Sequence, residues 1–175
     1  MLLNLQVKNL ALIEKAEVSF SEGLNILTGE TGAGKSIIIG SVNMALGGKT
    51  SRDMIRQGAD YAYVELVFSV DDPVKRKRLE ELDLDLPEDG TIIISKKIMP
   101  TRSLSKVNDE TVTTGRLKEI TSLLIDIHGQ HEHQSLLYKS KHLQILDAYA
   151  RSQTQPLKEK ISVNYHQYQE VLKTL

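Results

Sequence analysis

The chain has 175 residues, 40% hydrophobic and 26% charged, ordinary values for a soluble globular protein. Its formal net charge of −1 excludes a global basic field for holding nucleic acid, though not a local patch. The absence of cysteine excludes disulfides and thiolate metal sites and fits a reducing compartment. No apolar run of about 18 residues occurs, so neither a membrane span nor an export signal is expected, and the reading is cytoplasmic.

In chain order, residues 2–8 and 12–20 alternate apolar and polar side chains and predict an antiparallel pair of strands. Leu24–Gly29, "LNILTG", predicts a short buried strand running into a glycine-rich loop. From Ser36 a helix is expected, ending at Gly47–Gly48; burial behind the loop overrides the strand propensity of Ile37–Ile39. "YAYVELVFSV" predicts a strand, and "DPVKRKRLEEL" a short helix with Pro73 in its first turn. "TIIISKKIM" predicts a strand, and "SLSKVNDETVT" a hairpin turning at Asn108–Asp109. In "TGRLKEITSLLIDI", Leu117, Ile120, Leu123, Leu124 and Ile127 share one face of an amphipathic helix. From Lys139 the pattern is helical, with an interruption expected near "RSQTQP". Leu157, Ile161, Tyr165, Tyr168, Val171 or Leu172, and Leu175 then follow at steps of three and four. Those steps suit the first turns of a coiled coil, a helical hairpin or a plain amphipathic helix. The pattern is still running at Leu175 and reads as a cut end.

The stretch "GETGAGKS", Gly29–Ser36, fits G-x-x-x-x-G-K-[ST] in full, between a predicted strand and a predicted helix. Its backbone N–H groups, from Gly29, Glu30, Thr31, Gly32, Ala33 and Gly34, would face inward around phosphates. The glycines supply conformations and clearance that side chains would block. The start of the following helix adds partial positive charge. Lys35 would reach the β- and γ-phosphates, and Ser36 would place its hydroxyl on Mg²⁺. A dinucleotide fingerprint does not fit, because Ile37 stands where the third glycine belongs. The ligand expected is a nucleoside triphosphate with Mg²⁺. A GTPase would need N-K-x-D and a small nucleoside kinase an arginine-rich lid; neither is present.

The opening "NLALIEKAEVSFSEGLNILTGETGAGKSIII" resembles the N-terminal lobe of the ABC-type ATPase heads of SMC-like proteins. Within that family "RDMIRQGADYAYVELVF", "TRSLSKVNDETVT" and above all "LLIDIHGQHEHQSLL" are similar to the RecN-type DNA-repair members. The resemblance runs from Met1 to at least Asp147. It departs at the hairpin, where Asn-Gly is usual and Asn108–Asp109 stands here; Asp also tolerates the left-handed conformation.

The resemblance implies an α/β fold of the P-loop NTPase class: a mixed sheet around the P-loop helix, an antiparallel β-subdomain and the start of a coiled-coil helix. Residues 1–150 would be the lobe and 151–175 the beginning of the arm. Gln130 would complete the Mg²⁺ shell and contact the attacking water, so Lys35 and Gln130 are the catalytic candidates and Ser36 and Gln130 the metal candidates. Arg56 and Arg102 stand where related heads place phosphate- or DNA-facing arginines, and Asn9–Leu12 would border the adenine.

Other features have plainer readings. His128, His131 and His133 with Glu132 mimic a zinc cluster, but H-E-x-x-H is lacking because Ser135 takes the second histidine's place. "LLID" ending at Asp126 imitates a Walker B strand, yet Ile127 follows where a catalytic glutamate belongs, and Asp126 reads as structural. Lys75–Arg78 sit beside Glu80 and Glu81 and read as a solvated face, with DNA contact the sharper alternative. A Walker B with its general base and an L-S-G-G-type signature are both missing from the chain.

The resemblance therefore implies partners: a C-terminal lobe of the same protein, a second head in a homodimer, and DNA, with a nucleoid-associated location and no membrane. ATP would drive head engagement coupled to DNA holding or bridging in double-strand-break repair and recombination. The chain alone is expected to bind ATP weakly without hydrolysis. The alternatives are a self-sufficient small P-loop kinase, with Asp126 or Glu132 as base, and a nucleotide-gated interaction module.

Overall fold

The computed structural model describes residues 1–29, 34–127, 142–143, 146–147 and 149–174, in two compact units, 1–126 and 127–175. In the first unit six strands form one sheet: β1 (Leu2–Leu10), β2 (Ile13–Ser19), β3 (Ala62–Ser69), β4 (Thr91–Ile98), β5 (Ser103–Val107) and β6 (Glu110–Val112). Their order is β2-β1-β3-β4-β5-β6, and every neighbouring pair is antiparallel.

The alternation seen in the sequence divides the sheet into two faces. Leu5, Val7, Val64, Leu66, Phe68, Ile92, Ile94 and Val107 are fully buried on one. Helix α1 (Lys35–Ala45) packs across β1, β3 and β4, contributing Val42, Met44 and Ala45 to the core. Helix α3 (Thr114–Leu124) adds Leu117 and Ile120 beside β5 and the shorter α2 (Pro73–Glu80).

The local signals behave as read. Three consecutive isoleucines are helical in α1, which ends in a Schellman motif: Gly47 N donates to Met44 O and Gly48 N to Asn43 O, with Gly47 at φ +100°. Asp72 caps α2, accepting from Val74 N at 2.8 Å, with Pro73 at its first position. Asn108 and Asp109 both have positive φ, 45° and 67°, as a two-residue type I′ hairpin demands.

Three expectations fail. Leu24–Gly29 is not a strand, and Leu24 and Ile26 are 85% and 75% exposed. Instead Asn25 ties residues 21–25 into a local loop: its Oδ1 accepts from Ser21 N and its Nδ2 donates to Ser21 O at 2.8 Å. None of the six strands runs alongside to take up its backbone groups, so the parallel component of the expected mixed sheet is not formed among the described residues. Ile127 does not share the α3 face, because the helix ends at Leu124 and Ile125 is extended.

The third correction concerns the second unit, where α4 (Arg151–Thr174) runs through Pro156 without the interruption expected there. A proline removes one donor and crowds one preceding carbonyl, a local cost that a helix of 24 residues absorbs. Leu157, Ile161, Tyr165, Tyr168 and Val171 are exposed along it.

Candidate functional site

The segment between β2 and β3 leaves one side of β1 and returns on the other, bringing the glycine loop and α1 across the sheet. Gly34, at φ +89°, forms the left-handed N-cap of α1 and accepts from Ile37 N and Ile38 N at 3.0 Å each. A Cβ there would have open space, so glycine is required by backbone conformation rather than by crowding. Gly29 is also at positive φ. No side chain caps α1 and its first turn has no acidic residue, so that turn brings no carboxylate against the helix's positive end.

Lys35 and Ser36 stand in the first turn of α1. The Lys35 ammonium donates to Gly29 O. Ser36 is exposed at the same helix end. A pocket of about 420 Å³ opens there, walled by Gly34, Lys35 and Ile38 from α1, by Leu27 and Thr28, and by Leu12 to Ala16 of the β1–β2 hairpin. Cationic and hydroxyl groups at one side and the apolar Leu12 and Ile13 at the other are the donor set a nucleotide requires: charge for phosphates, apolar surface for a base. These residues fit a nucleotide. Glu30, Thr31, Gly32, Ala33 and Gln130 lie outside the described residues, as do His128, His131, Glu132 and His133. Among the described residues no group of three or more His, Asp or Glu could hold a metal ion.

The two arginines singled out in the sequence are elsewhere. Arg56 Nη1 donates to Leu12 O at 2.8 Å and faces Glu14 at 3.9 Å, so it braces the hairpin that walls the pocket. The same turn is clamped by Ala11 N to Met54 O at 2.7 Å and Arg56 N to Asn9 O at 3.0 Å, holding Asn9 and Ala11 at positive φ. Of the expected adenine border, only Leu12 reaches this pocket; Ala11 lines a different cavity with Arg52 and Arg56. Arg102 is exposed and borders a third cavity, about 260 Å³, with Arg52. Ile13–Ala16 were missed as pocket residues; their signal was the hairpin register that sets β2 beside β1. Asp126 is exposed beyond the end of α3 and is in no strand.

A family model described as AAA domain matches residues 4–174. The chain belongs to the AAA domain family. Within it the sequence is RecN-like: DNA repair protein RecN of Halalkalibacterium halodurans is 41% identical over 96% of this chain and 30% of its own length. DNA repair protein RecN of Bacillus subtilis is 39% identical over all of this chain and 31% of its own length. The chain thus spans about a third of these curated relatives. Among solved structures, an SMC ATPase studied for ATP-driven dimerization and DNA-stimulated activation superposes with TM-score 0.58 at 23% identity, over 70% of this chain and 78% of that one. The AAA domain here thus has the fold of an SMC ATPase head. No helix among the described residues is long and apolar enough to cross a membrane.

Proposed function

We propose that this chain is the nucleotide-binding N-terminal lobe of an SMC-like, RecN-type ATPase head that acts in DNA double-strand-break repair and recombination. The observation that carries the reading is the glycine-capped start of α1, with Gly34 and Lys35 lining the pocket walled by the β1–β2 hairpin and Ser36 exposed in the same first turn. Its relatives named DNA repair protein RecN give the biological setting.

The chain's own residues bind and orient. The backbone of Gly29–Gly34 cradles phosphates, Lys35 offsets their charge, and Leu12 and Ile13 border the base. Ser36 and Gln130 would hold Mg²⁺, which would supply neutralisation of phosphate charge. A neutral amide at Gln130 suits the metal and a water without adding charge. The groups that cleave, a general-base glutamate and a signature loop, belong to a C-terminal lobe and to a second head; engagement of two heads would couple ATP to holding DNA. In this division residues 1–150 form the lobe and 151–175 begin the coiled-coil arm, in the cytoplasm at the nucleoid.

The test is direct. The 175-residue chain should bind a fluorescent ATP analogue in a Mg²⁺-dependent way. Lys35→Ala should weaken binding about 10- to 100-fold, the worth of a hydrogen bond to a charged group. Neither protein should show steady turnover. Hydrolysis by the wild-type chain that Lys35→Ala abolishes would overturn the proposed division of labour.

A further inference from the structure

The sheet face opposite α1 carries a feature that, Lys15 apart, lies away from the nucleotide pocket. Lys15 pairs with Lys8 across β2 and β1, Lys8 with Tyr63 on β3, and Tyr63 with Lys97 on β4. One cross-strand row therefore reads Lys15–Lys8–Tyr63–Lys97, about 14 Å long at the usual strand spacing. Directly opposed like charges destabilise a sheet, so the Lys8–Lys15 pair works against the fold. Among the described residues none of the three lysines has a carboxylate within ion-pair distance; the ion pairs found there involve other cations. Lys8 and Lys97 instead converge on the ring of Tyr61, with Nζ 5.9 and 4.2 Å from its centroid.

The row also has no anion. Tyr63 donates to Glu65 Oε2 at 2.5 Å, and its phenol is pushed up to about 12, first by burial and then by that bond, so it stays protonated. The next row carries carboxylates, with Glu17, Gln6, Glu65 and Ser95 in register, and the charge of Asp109 also reaches Tyr63. The result is a basic strip one row wide on a chain whose net charge is −1.

We propose that Lys15, Lys8 and Lys97, the last two converging on Tyr61, form a contact for the phosphodiester backbone of DNA. The proposal rests on the DNA-repair reading above and assigns it a surface. Each DNA strand carries one charge per 3.4 Å of helix axis, so about four phosphates pass along a row of this length. That regular polyanion relieves the lysine repulsion that the protein itself leaves in place. Lysines act as point charges and not as base-reading forks, so binding is sequence-independent. Because α1 packs on the other face, DNA and nucleotide bind together; Lys15 alone borders both the row and the pocket.

Anisotropy of a fluorescein-labelled duplex, titrated with the 175-residue chain between about 50 and 200 mM salt, tests this. Lys8→Gln/Lys97→Gln should lose about 10-fold in affinity at the lower salt, and the log–log salt slope should fall in magnitude by about 2. Lys75→Gln/Lys77→Gln, which removes the same charge from α2, should bind as wild type. Unchanged binding of the ATP analogue by the first variant reports an intact fold. If wild type binds DNA and both variants match it in affinity and slope, the strip is wrong while the DNA-repair reading stands. If wild type binds no DNA, both fall. Displacement of the duplex by polyglutamate at equal charge concentration would overturn nucleic acid as the partner.

Discussion

β4 and the segment Leu24–Thr28 are both short aliphatic runs, and they end in opposite environments. Ile92 and Ile94 are fully buried between β3 and β5, whereas Leu24 and Ile26 are 85% and 75% exposed. Composition does not separate them. β4 has a strand on each side to take its N–H and C=O groups and helix α1 over one face; no described strand lies beside Leu24–Thr28. Hydrophobicity favours burial, but a strand forms only where neighbours also satisfy its backbone. The relatives' additional length gives the proposed C-terminal lobe room to supply those neighbours.

The largest effect should come from breaking this contrast. Ile94→Ala should cost about 3 kcal/mol through lost burial and a cavity, while Ile26→Ala should fall within about 0.5 kcal/mol of wild type. Urea unfolding of both variants measures it; equal losses would mean that Ile26 is buried in solution.

A smaller effect is expected inside the buried face. Lys96 is 3% exposed in the row that carries Ile92, Ile94 and Ile98, and burial, then the charge of Lys118, lowers its pKa below the usual lysine value. The folded state therefore binds its proton less tightly than the unfolded state. The penalty is complete below the depressed pKa and is relieved as pH rises from there toward about 10.4, the ordinary lysine value. Lys96→Met should stabilise the fold at neutral pH by on the order of 1 kcal/mol and flatten this rise with pH. Thermal melts across pH 7 to 10 decide it; an identical pH dependence in the variant would show that Lys96 is not the source.

The smallest expected effect lies at the hairpin. Asp109 occupies the left-handed region at φ 67°, which glycine enters at less steric cost. Asp109→Gly should gain about 0.5 kcal/mol, offset in part by chain entropy. Asn108→Gly should instead lose stability, because the Asn108 side chain accepts from Ile93 N at 2.9 Å and donates to Asp85 O at 3.1 Å. Opposite signs at adjacent turn positions are measurable in one set of melts.

Much of this was legible in the residues. β1 to β3 follow from period-two alternation, the β5–β6 hairpin from its Asn108–Asp109 turn, and the limits of two helices from Pro73 and the Gly47–Gly48 pair. The start of α1 was readable because phosphate-loop chemistry fixes glycine, lysine and serine at set spacings. The pocket's second wall was not, since Ile13–Ala16 reach it through the path of β2 alone. Nor was Arg56, which sequence placed toward phosphate or DNA and which here braces Leu12.

By itself, the sequence determined which residues alternate, where helices begin and stop, and that eight successive residues fit a phosphate-loop pattern, because these depend on neighbours along the chain. Only the tertiary structure decided that Leu24–Thr28 pairs with none of the described strands, that three lysines from separate strands form one row, and that Arg56 clamps a turn. Those outcomes depend on which strands lie side by side, and lateral pairing joins residues that no local pattern relates.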